Sequence, residues 1–404
     1  MSDVRVLLTT FGFPLYQHSF LEDHVVALAG LGADVCVVSN APGDHRLRDG
    51  SGRKVHVVRA PFGDAPARKL LTLAGVLRAA ATHNRGELRG LVAAVGRGHG
   101  WRHLPHRLYS MAPVLAWDAD VVHLGWLSTA TRWTALLESV ERPVVVSSHG
   151  SDLRLEPLAD DDYRRRLETV FERVDLVHCV SHDLAERAES FGLDPAKVFV
   201  GGWGIDTRYF RPPDDQAEPR GVLRVVSVGR IHWVKAYECA LQALGHVRRA
   251  GVEIDYTIVG EADTRARVAV LAAVEDLGLQ GRVHVRGLAT RDEVRATLRS
   301  ADVFLLTSVS EGLSTATLEA MAVGLPVVVT DVGGMREAVD DGVTGYVVPP
   351  RDPGGVADAL VAVARDPARG RTMGCAGRRR VVDDFDTSVR APEALAQYRR
   401  LAGR

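Results

Sequence analysis

Short apolar segments alternate with helix-like segments along almost the whole chain, and this alternation restricts the fold more than any other feature. Apolar runs separated by helices, rather than by tight turns, indicate parallel sheets that are covered on both faces. The sequence therefore predicts an α/β protein with doubly wound, Rossmann-like sheets. The expected strands lie near residues 4–10, 34–39, 55–59, 121–124, 144–148, 176–180, 198–201, 223–228, 255–260, 283–286, 302–306, 326–330 and 345–348.

A segment rich in proline and charge, residues 209–219, divides the chain into two parts of similar size and is typical of a linker. A chain of 404 residues is long enough for two or three domains. We expect one domain at 1–207, a second at 208–385 and a terminal helix at 386–404. A ligand between two such domains, in a central cleft, is the expectation for this architecture.

Composition excludes several classes of protein. The formal net charge of -1 gives no general attraction to nucleic acid. The chain begins with a strand pattern rather than a signal peptide, and it has no apolar run of membrane-spanning length, so we expect a cytoplasmic protein. The cysteines are far apart and form no CxxC pair, which argues against disulfides and zinc; they are Cys36, Cys179, Cys239 and Cys375.

The segment 307–350 carries the strongest functional signal. Glu311 and Glu319 lie around the start of a predicted helix, after a strand at 301–306. Such a strand–loop–helix unit binds ligands where the helix N-terminus presents free amides. Carboxylates there accept hydrogen bonds from hydroxyls, and eight helical residues span about 12 Å, a distance that suits two sugar rings. Alternatively, Glu311 complements the helix dipole and Glu319 is a solvated helix residue.

Two further loops carry candidate residues. Gly229 and Arg230 end a strand, and Lys235 follows, so that the two cations are placed to straddle a diphosphate, unless they are simply surface charges. His149 ends another strand, and we expect it to face a ligand. Asp152 is either a helix N-cap or a contact to acceptor hydroxyls.

Two segments resemble ligand-binding motifs but lie in the wrong place relative to the predicted strands. Asp118 and Asp120 form an Asp-x-Asp that precedes a strand instead of following one, so it reads as a turn, and no metal site is assigned. The glycine-rich segment 96–100 is expected to be a loop between helices, and without a preceding strand it is not a dinucleotide fingerprint.

The ordered motifs Glu311-Gly312-Leu313, Glu319-Ala320-Met321-Ala322, Gly324-Leu325-Pro326-Val327 and Gly333-Gly334 resemble the donor-site signature of the family-4 retaining glycosyltransferases. These enzymes have the two-domain GT-B fold. The resemblance is dense over residues 225–353 and looser over residues 4–210.

This resemblance implies roles for individual residues. The first domain would be the acceptor side, the second would bind the nucleotide-sugar, and the terminal helix would cross back onto the first domain. No metal and no cofactor beyond the nucleotide-sugar co-substrate are implied. The implied catalytic residues are His149, Glu311, Arg230 and Lys235; the implied donor-binding residues are Gly229, Arg230, Lys235, Glu311, Gly312, Leu313, Ser314 and Glu319; the candidates for the acceptor side are Gly12, Asp152 and Trp203.

The chain departs from the family pattern at three places. Ala236 stands where the family usually has glycine. The segment 11–14 has only Gly12 where many relatives have a glycine pair, which puts phosphate contacts of the first domain in doubt. Trp203 lies in Gly-Trp-Gly-Ile-Asp where Pro-Asn-Gly-Val-Asp is common. It could pack at the hinge or line the acceptor side.

The expected activity is retaining, metal-independent transfer of a hexose from a nucleotide diphosphate-sugar to a hydroxyl of a glycan, a lipid-linked acceptor or a small molecule. The same fold hosts sugar-nucleotide epimerases and phosphorylases. A phosphorylase would normally be a longer chain with a cofactor lysine, and this sequence shows no such lysine. A non-catalytic nucleotide-sugar sensor is a further alternative.

A basic segment gives one more expectation. Between Arg68 and Arg107 the cations are interleaved with apolar residues at roughly helical spacing, against a single acid, Glu87. Such a surface could contact anionic lipid at the inner face of a membrane. It could equally be an ordinary helical insertion with solvated arginines.

Overall fold

The computed structural model describes residues 4–15, 19–43, 55–59, 66–99, 104–214 and 221–404. The chain forms two compact units, one comprising Met1–Trp203 with Arg390–Arg404 and the other Gly204–Val389. The later part of the expected linker, residues 215–219, lies outside the described residues.

The strands are β1 Arg5–Phe13, β2 Asp34–Pro42, β3 Val55–Arg59, β4 Val121–Leu124, β5 Val144–Ser148, β6 Leu176–Cys179, β7 Val198–Val200, β8 Leu223–Val228, β9 Ile254–Val259, β10 Val283–Arg286, β11 Val303–Leu306, β12 Val327–Thr330 and β13 Gly345–Val348.

The helices are α1 Ser19–Gly30, α2 Pro66–His83, α3 Arg85–His99, α4 Leu104–Leu115, α5 Leu127–Arg132, α6 Thr134–Leu137, α7 Ser151–Arg154, α8 Glu156–Ala159, α9 Asp161–Arg173, α10 His182–Ser190, α11 Tyr237–Arg249, α12 Thr264–Asp276, α13 Arg291–Ser300, α14 Thr315–Ala322, α15 Met335–Ala338, α16 Pro353–Arg365, α17 Pro367–Asp384 and α18 Thr387–Leu401.

The described strands of the first unit form a parallel sheet in the order β3-β2-β1-β4-β5-β6-β7. Strands β4 and β5 are buried along their whole length, as the apolar runs predict. From β1 the sheet grows in one direction through β2 and in the other through β4, so that the strand order reverses between β1 and β4. Ligands of doubly wound sheets bind at the carboxyl ends of the strands that flank such a switch point.

The second unit repeats this plan with the described strands in the order β10-β9-β8-β11-β12-β13, again all parallel. Its switch point lies between β8 and β11. The core on one face surrounds Tyr256, and the core on the other surrounds Phe304; both side chains are fully buried. The expected α/β class with two doubly wound parallel sheets is therefore confirmed.

Two local expectations were wrong. The first strand continues to Phe13 instead of ending at residue 10, because Gly12 pairs with Ala41 and Phe13 with Pro42 of the neighbouring strand. Residues 96–99 of the glycine-rich segment expected as a loop belong to helix α3, which continues to His99, and Gly100 lies outside the described residues. Leu91 and Val95 of this helix are fully buried, and their packing stabilises a helix that the glycines alone would weaken.

The Asp-x-Asp segment is a turn, as expected, and Arg5 holds it together. The Arg5 guanidinium contacts Asp118 and donates to Asp120 at 2.8 Å, and the Arg5 amide also donates to the Asp120 carboxylate at 2.8 Å. Burial alone would raise the pKa of Asp120, but these hydrogen bonds hold it below its usual value. Both carboxylates thus serve to join the start of β1 to the turn before β4.

Candidate functional site

In the second unit, the loops that follow β8 and β11 meet at the switch point. The Lys235 Nζ lies 2.6 Å from Oε1 of Glu311, and the side chains are only 21% and 12% exposed. The Ser308 hydroxyl donates to the same carboxylate oxygen at 2.6 Å. The structure therefore brings two predicted site residues into direct contact and adds a third, Ser308, that the sequence analysis missed.

Hydrogen bonds fix both loops against each other. The Val309 amide donates to the Val234 carbonyl at 2.8 Å, and the Thr307 hydroxyl donates to the Lys235 carbonyl at 3.0 Å. The Thr330 hydroxyl, from the end of β12, donates to the Ser308 carbonyl at 2.5 Å. Because Thr307, Ser308 and Thr330 are almost completely buried, the backbone that carries the ion pair is rigid.

The Gly333-Gly334 turn supports the loop from the other side. The Gly334 amide donates to the Gly312 carbonyl at 2.7 Å. Gly333 has a φ of 58°, and a Cβ at this position would overlap the Glu311 carbonyl oxygen. Only glycine satisfies both conditions, which gives the Gly-Gly motif a structural reason in this chain.

Helix α14 starts beside the ion pair. Ser314 is its N-cap, and its hydroxyl accepts from the Thr317 amide at 3.2 Å. The amides before Thr317 have no acceptor within the helix and are available to an anion. Glu319 is 8% exposed, so the interpretation as a solvated helix residue is excluded. Gly312 lies in the loop, and Leu313 packs partly against the core.

The loop after β8 places the cations. Lys235 lies across Gly229, because a Cβ at Gly229 would be 3.3 Å from the Lys235 Cε. The Tyr237 hydroxyl donates to the Gly229 carbonyl at 3.0 Å. Arg230 is exposed and forms no ion pair with any residue that the structure describes. One cation is therefore held by a carboxylate, and the other is available to a ligand.

Ala236, the departure from the family glycine, has a left-handed backbone with φ 46° and ψ 49° at the start of α11. The Thr307 hydroxyl also donates to its carbonyl, at 3.0 Å. Left-handed backbone favours glycine, so the alanine is accommodated at an energetic cost while the position of Lys235 is kept.

In the first unit, His149 follows β5 near the switch point. Its Nε2–H donates to the Gly125 carbonyl at 2.9 Å, and its Nδ1 accepts from the indole N–H of Trp203 at 3.3 Å. Burial lowers the pKa of His149. The ring is therefore neutral with one defined tautomer, and both nitrogens are occupied within the unit.

Asp152 organises the turn that carries His149. Its carboxylate accepts from the Ser148 hydroxyl at 2.8 Å and from the amides of His149 and Gly150 at 3.3 and 3.1 Å. The residue is only 2% exposed. We therefore assign Asp152 to holding this turn; it is not the N-cap, which is Gly150, and it does not face an acceptor in this conformation.

Trp203 packs inside the first unit with 4% exposure and does not line a surface. Its ring contacts the edges of His24 and His178, with centroids 4.6 and 5.0 Å apart. Burial lowers the pKa of His24 to about 3 and of His178 to about 4. The tryptophan is thus surrounded by neutral histidines.

A buried chain of hydrogen bonds, here called the histidine relay, continues from these rings. His178 Nε2 donates to the Gly201 carbonyl, so its Nδ1 accepts from the Ser147 hydroxyl at 2.9 Å. Ser147 in turn accepts from His123 Nε2 at 2.7 Å, and His123 Nδ1 accepts from the Tyr398 hydroxyl at 2.8 Å. Every donor points the same way, so a proton added to either histidine would break the relay.

The histidine relay had no signal in the sequence, because its members come from strands and a helix far apart in the chain.

Gly12, a candidate for the acceptor side, is buried within β1, beside Leu15. In the basic segment Arg78, Arg85 and Arg89 are exposed, whereas Leu91 and Val95 are buried, as in an ordinary helical insertion. Contact with anionic lipid remains a prediction.

Comparison with protein families identifies this arrangement. Residues 18–209 match the model described as Glycosyltransferase Family 4, and residues 223–366 match that described as Glycosyl transferases group 1. The chain belongs to the family-4 glycosyltransferases of GT-B fold. It is therefore a glycosyltransferase, and the expected enzyme class is confirmed at this level.

Individual relatives of this glycosyltransferase agree with the assignment. A D-inositol 3-phosphate glycosyltransferase of Kribbella flavida is 31% identical over 356 residues, covering 77% of this chain and 80% of the relative. The amylovoran biosynthesis glycosyltransferase AmsK of Erwinia amylovora is 24% identical over 414 residues, covering 99% and 100%. The structure of Anabaena Alr3699/HepE, in complex with UDP and glucose, has a TM-score of 0.74 at 17% identity and 98% and 99% coverage.

The described residues contain neither a metal-binding cluster nor a membrane-spanning helix. No group of three or more His, Cys, Asp or Glu side chains is arranged there to hold a metal ion. No helix in that part of the glycosyltransferase is both long enough and apolar enough to cross a membrane. The four cysteines are free thiols.

Proposed function

We propose that this glycosyltransferase transfers a hexose from a nucleotide diphosphate-sugar to a hydroxyl of a glycan, with retention of anomeric configuration and without a metal ion. The observation that carries the proposal is the Lys235–Glu311 pair at the switch point of the second sheet, beside the free amides of α14. Cations and amides at this position suit a diphosphate, and a carboxylate suits sugar hydroxyls.

Charge neutralisation supplies the chemistry of the leaving group. As the bond from the anomeric carbon to the diphosphate oxygen breaks, negative charge develops on that oxygen. Lys235 and Arg230 would stabilise this charge, which is the task of a metal ion in other enzymes. Lys235 would exchange its contact with Glu311 for a phosphate oxygen, and the amides before Thr317 would contact the same group.

The freed Glu311 carboxylate would then accept from hydroxyls of the transferred sugar, while Ser308 keeps it oriented. Glu319 would hold the ribose. Since none of the described residues is placed as a covalent nucleophile, we propose that the acceptor hydroxyl attacks on the same face from which the diphosphate leaves, through a short-lived oxocarbenium-like state. The proton of that hydroxyl would pass to the departing diphosphate oxygen.

The acceptor is proposed to be a growing glycan, and AmsK, named for amylovoran biosynthesis, supports this choice. Contact of the exposed arginines of α2 and α3 with anionic lipid is compatible with a lipid-linked acceptor.

The decisive experiment measures transfer from a panel of nucleotide-sugars in excess chelator and follows the anomeric proton of the early product by NMR. We expect full turnover in chelator and the donor's anomeric configuration in the product. Loss of activity that magnesium or manganese restores would refute the metal-free assignment. Interconversion of the donor in the absence of acceptor would indicate an epimerase, and binding without turnover would indicate a sensor.

A further inference from the structure

We propose that a cavity of the second unit, separate from the ion pair but formed by the same loops, binds a pyranose ring of a neutral saccharide. The cavity has a volume of about 270 Å³, and its lining includes Trp233, Ala236, Glu238, Gln242, Val309 and Arg351. The inference rests on the proposed function in one respect, since the saccharide is taken to be part of the glycan acceptor.

The wall of this cavity contains an indole that the fold does not bury. Trp233 is 60% exposed, although it belongs to a short 3-10 turn, Trp233–Lys235, whose last residue is held in the ion pair. A large aromatic side chain on a rigid turn, left open to water, is informative because such rings are normally packed. The flat face suits the C–H face of a pyranose.

The polar side chains around the indole have hydrogen-bonding capacity to spare. Glu238, Gln242 and Arg351 are exposed, and their side chains form no ion pair or hydrogen bond with the described residues. A carboxylate, an amide and a guanidinium together donate to and accept from hydroxyls. One acid and one base leave the lining close to neutral, which favours a neutral sugar over a nucleotide phosphate.

Backbone strain points to the same cavity. Among the described residues, the non-glycine residues with positive φ are Ala236, at 46°, and Arg351, at 61°, and both line it. Strained backbone persists where surrounding structure holds it and is concentrated at functional sites. At Arg351 a glycine would remove the strain, whereas the arginine places a guanidinium in the cavity lining.

The test uses methyl α-D-glucopyranoside, methyl α-D-galactopyranoside and methyl α-D-mannopyranoside with the full chain, followed by saturation-transfer NMR. We expect at least one glycoside to bind, with saturation strongest on one ring face. Trp233→Ala should weaken binding about tenfold, the usual effect of truncating a central aromatic contact. Val268→Ala is the matched control, because Val268 is 59% exposed on α12 and outside the cavity.

Arg351→Gly separates a structural role from a binding role. Relief of the positive φ should raise the melting temperature, whereas loss of the guanidinium should weaken glycoside binding. Absence of binding for all three glycosides, equal binding in Trp233→Ala, or unchanged binding in Arg351→Gly would overturn the proposal.

Saturating UDP distinguishes this cavity from the donor site. We expect the glycoside signal to persist in UDP, and displacement by UDP would place the cavity within the nucleotide site and overturn the proposal. Failure of the transferase assay with intact glycoside binding would reject the proposed function while leaving the cavity assignment standing.

Discussion

The two sheets carry candidate residues at equivalent switch points, but their polar groups are satisfied in different ways. In the first unit, the histidine relay is buried and His149 is half-buried. These neutral rings are hydrogen-bonded to side chains of the same unit or to backbone carbonyls. In the second, Lys235 and Glu311 are partly exposed, and among the described residues their side chains pair with each other and with Ser308. The first set of side chains is held in place by its own hydrogen bonds, whereas in the proposed function a ligand must separate the ion pair of the second.

This difference separates stability from chemistry. Changes in the first unit should act through folding and its pH dependence, because the ring nitrogens of His149 and of the histidine relay already have hydrogen-bond partners. Changes in the second should act on kinetics, because in the proposed mechanism its charges exchange partners during binding. The predictions below test that separation.

The largest effect is expected for Lys235→Met, which removes the cation and keeps the length of the side chain. Turnover should fall by roughly 10²–10³, the usual result of removing one group that stabilises developing negative charge. Lys197→Met is the matched control, since Lys197 donates only to the carbonyls of Phe171 and Glu172 in the first unit. Initial rates at saturating donor measure the effect, and a turnover within twofold of wild type would remove Lys235 from the mechanism.

The next effect concerns acid sensitivity of the first unit. The folded-state pKa of His24 is about 3 and that of His178 about 4, below the ordinary value of 6.5, so the unfolded chain binds protons first as the pH falls. The contribution of these two histidines to the free energy of unfolding is largest above pH 6.5. It declines at lower pH, by roughly 3 kcal/mol for both residues together between pH 6.5 and 5.0. The histidines of the second unit, His232, His246 and His284, are exposed.

Urea unfolding at several pH values measures this effect. In a Trp233→Phe background every remaining tryptophan lies in the first unit, so fluorescence reports that unit alone. His24→Leu should flatten the pH slope, because the Nε2 of His24 is buried without a hydrogen-bond partner. Equal acid sensitivity of the two units would break the comparison.

A smaller effect should divide the two glutamates. Glu319→Ala should raise the apparent donor constant roughly ten- to a hundredfold, since a hydrogen bond to a charged group contributes about 1.5–3 kcal/mol. Glu311→Ala should instead lower turnover, because its carboxylate contacts the reacting sugar. Steady-state kinetics with varied donor distinguish the two patterns, with Glu275→Ala on α12 as a surface control. Wild-type kinetics in both variants would make the pair structural.

The smallest effect is on stability alone. Ala236→Gly should stabilise the second unit by about 1 kcal/mol, because glycine adopts the left-handed backbone without steric cost. Ala269→Gly, in the exposed interior of α12, should do the opposite by a similar amount. Thermal unfolding of both variants tests the sign, and a destabilised Ala236→Gly would show that the loop tolerates alanine without strain.

The sequence predicted the second unit's site better than the first's. Lys235 and Glu311 lie in loops that directly follow apolar strands, so their meeting at a sheet edge follows from the alternating pattern. The residues of the histidine relay lie on β4, β5, β6 and α18, so no local spacing in the sequence predicts their contact. Likewise, the extension of β1 to Phe13 depends on pairing with β2, and helix α3 passes through its glycines because Leu91 and Val95 are buried.

The Lys235–Glu311 contact has a consequence for selectivity. If an anion draws Lys235 away, Ser308 is the remaining partner of the Glu311 carboxylate among the described residues. The Glu311 side chain is only 12% exposed, and an uncompensated charge is unfavourable there. A polyol that binds Glu311 alone leaves the Lys235 ammonium without its carboxylate partner, which is unfavourable for the same reason. Free phosphate and free sugar should thus each bind weakly, and a molecule that joins the two should bind far better than their separate affinities imply. Under the proposed function, the Lys235–Glu311 pair would therefore favour the intact nucleotide-sugar over free phosphate or free sugar.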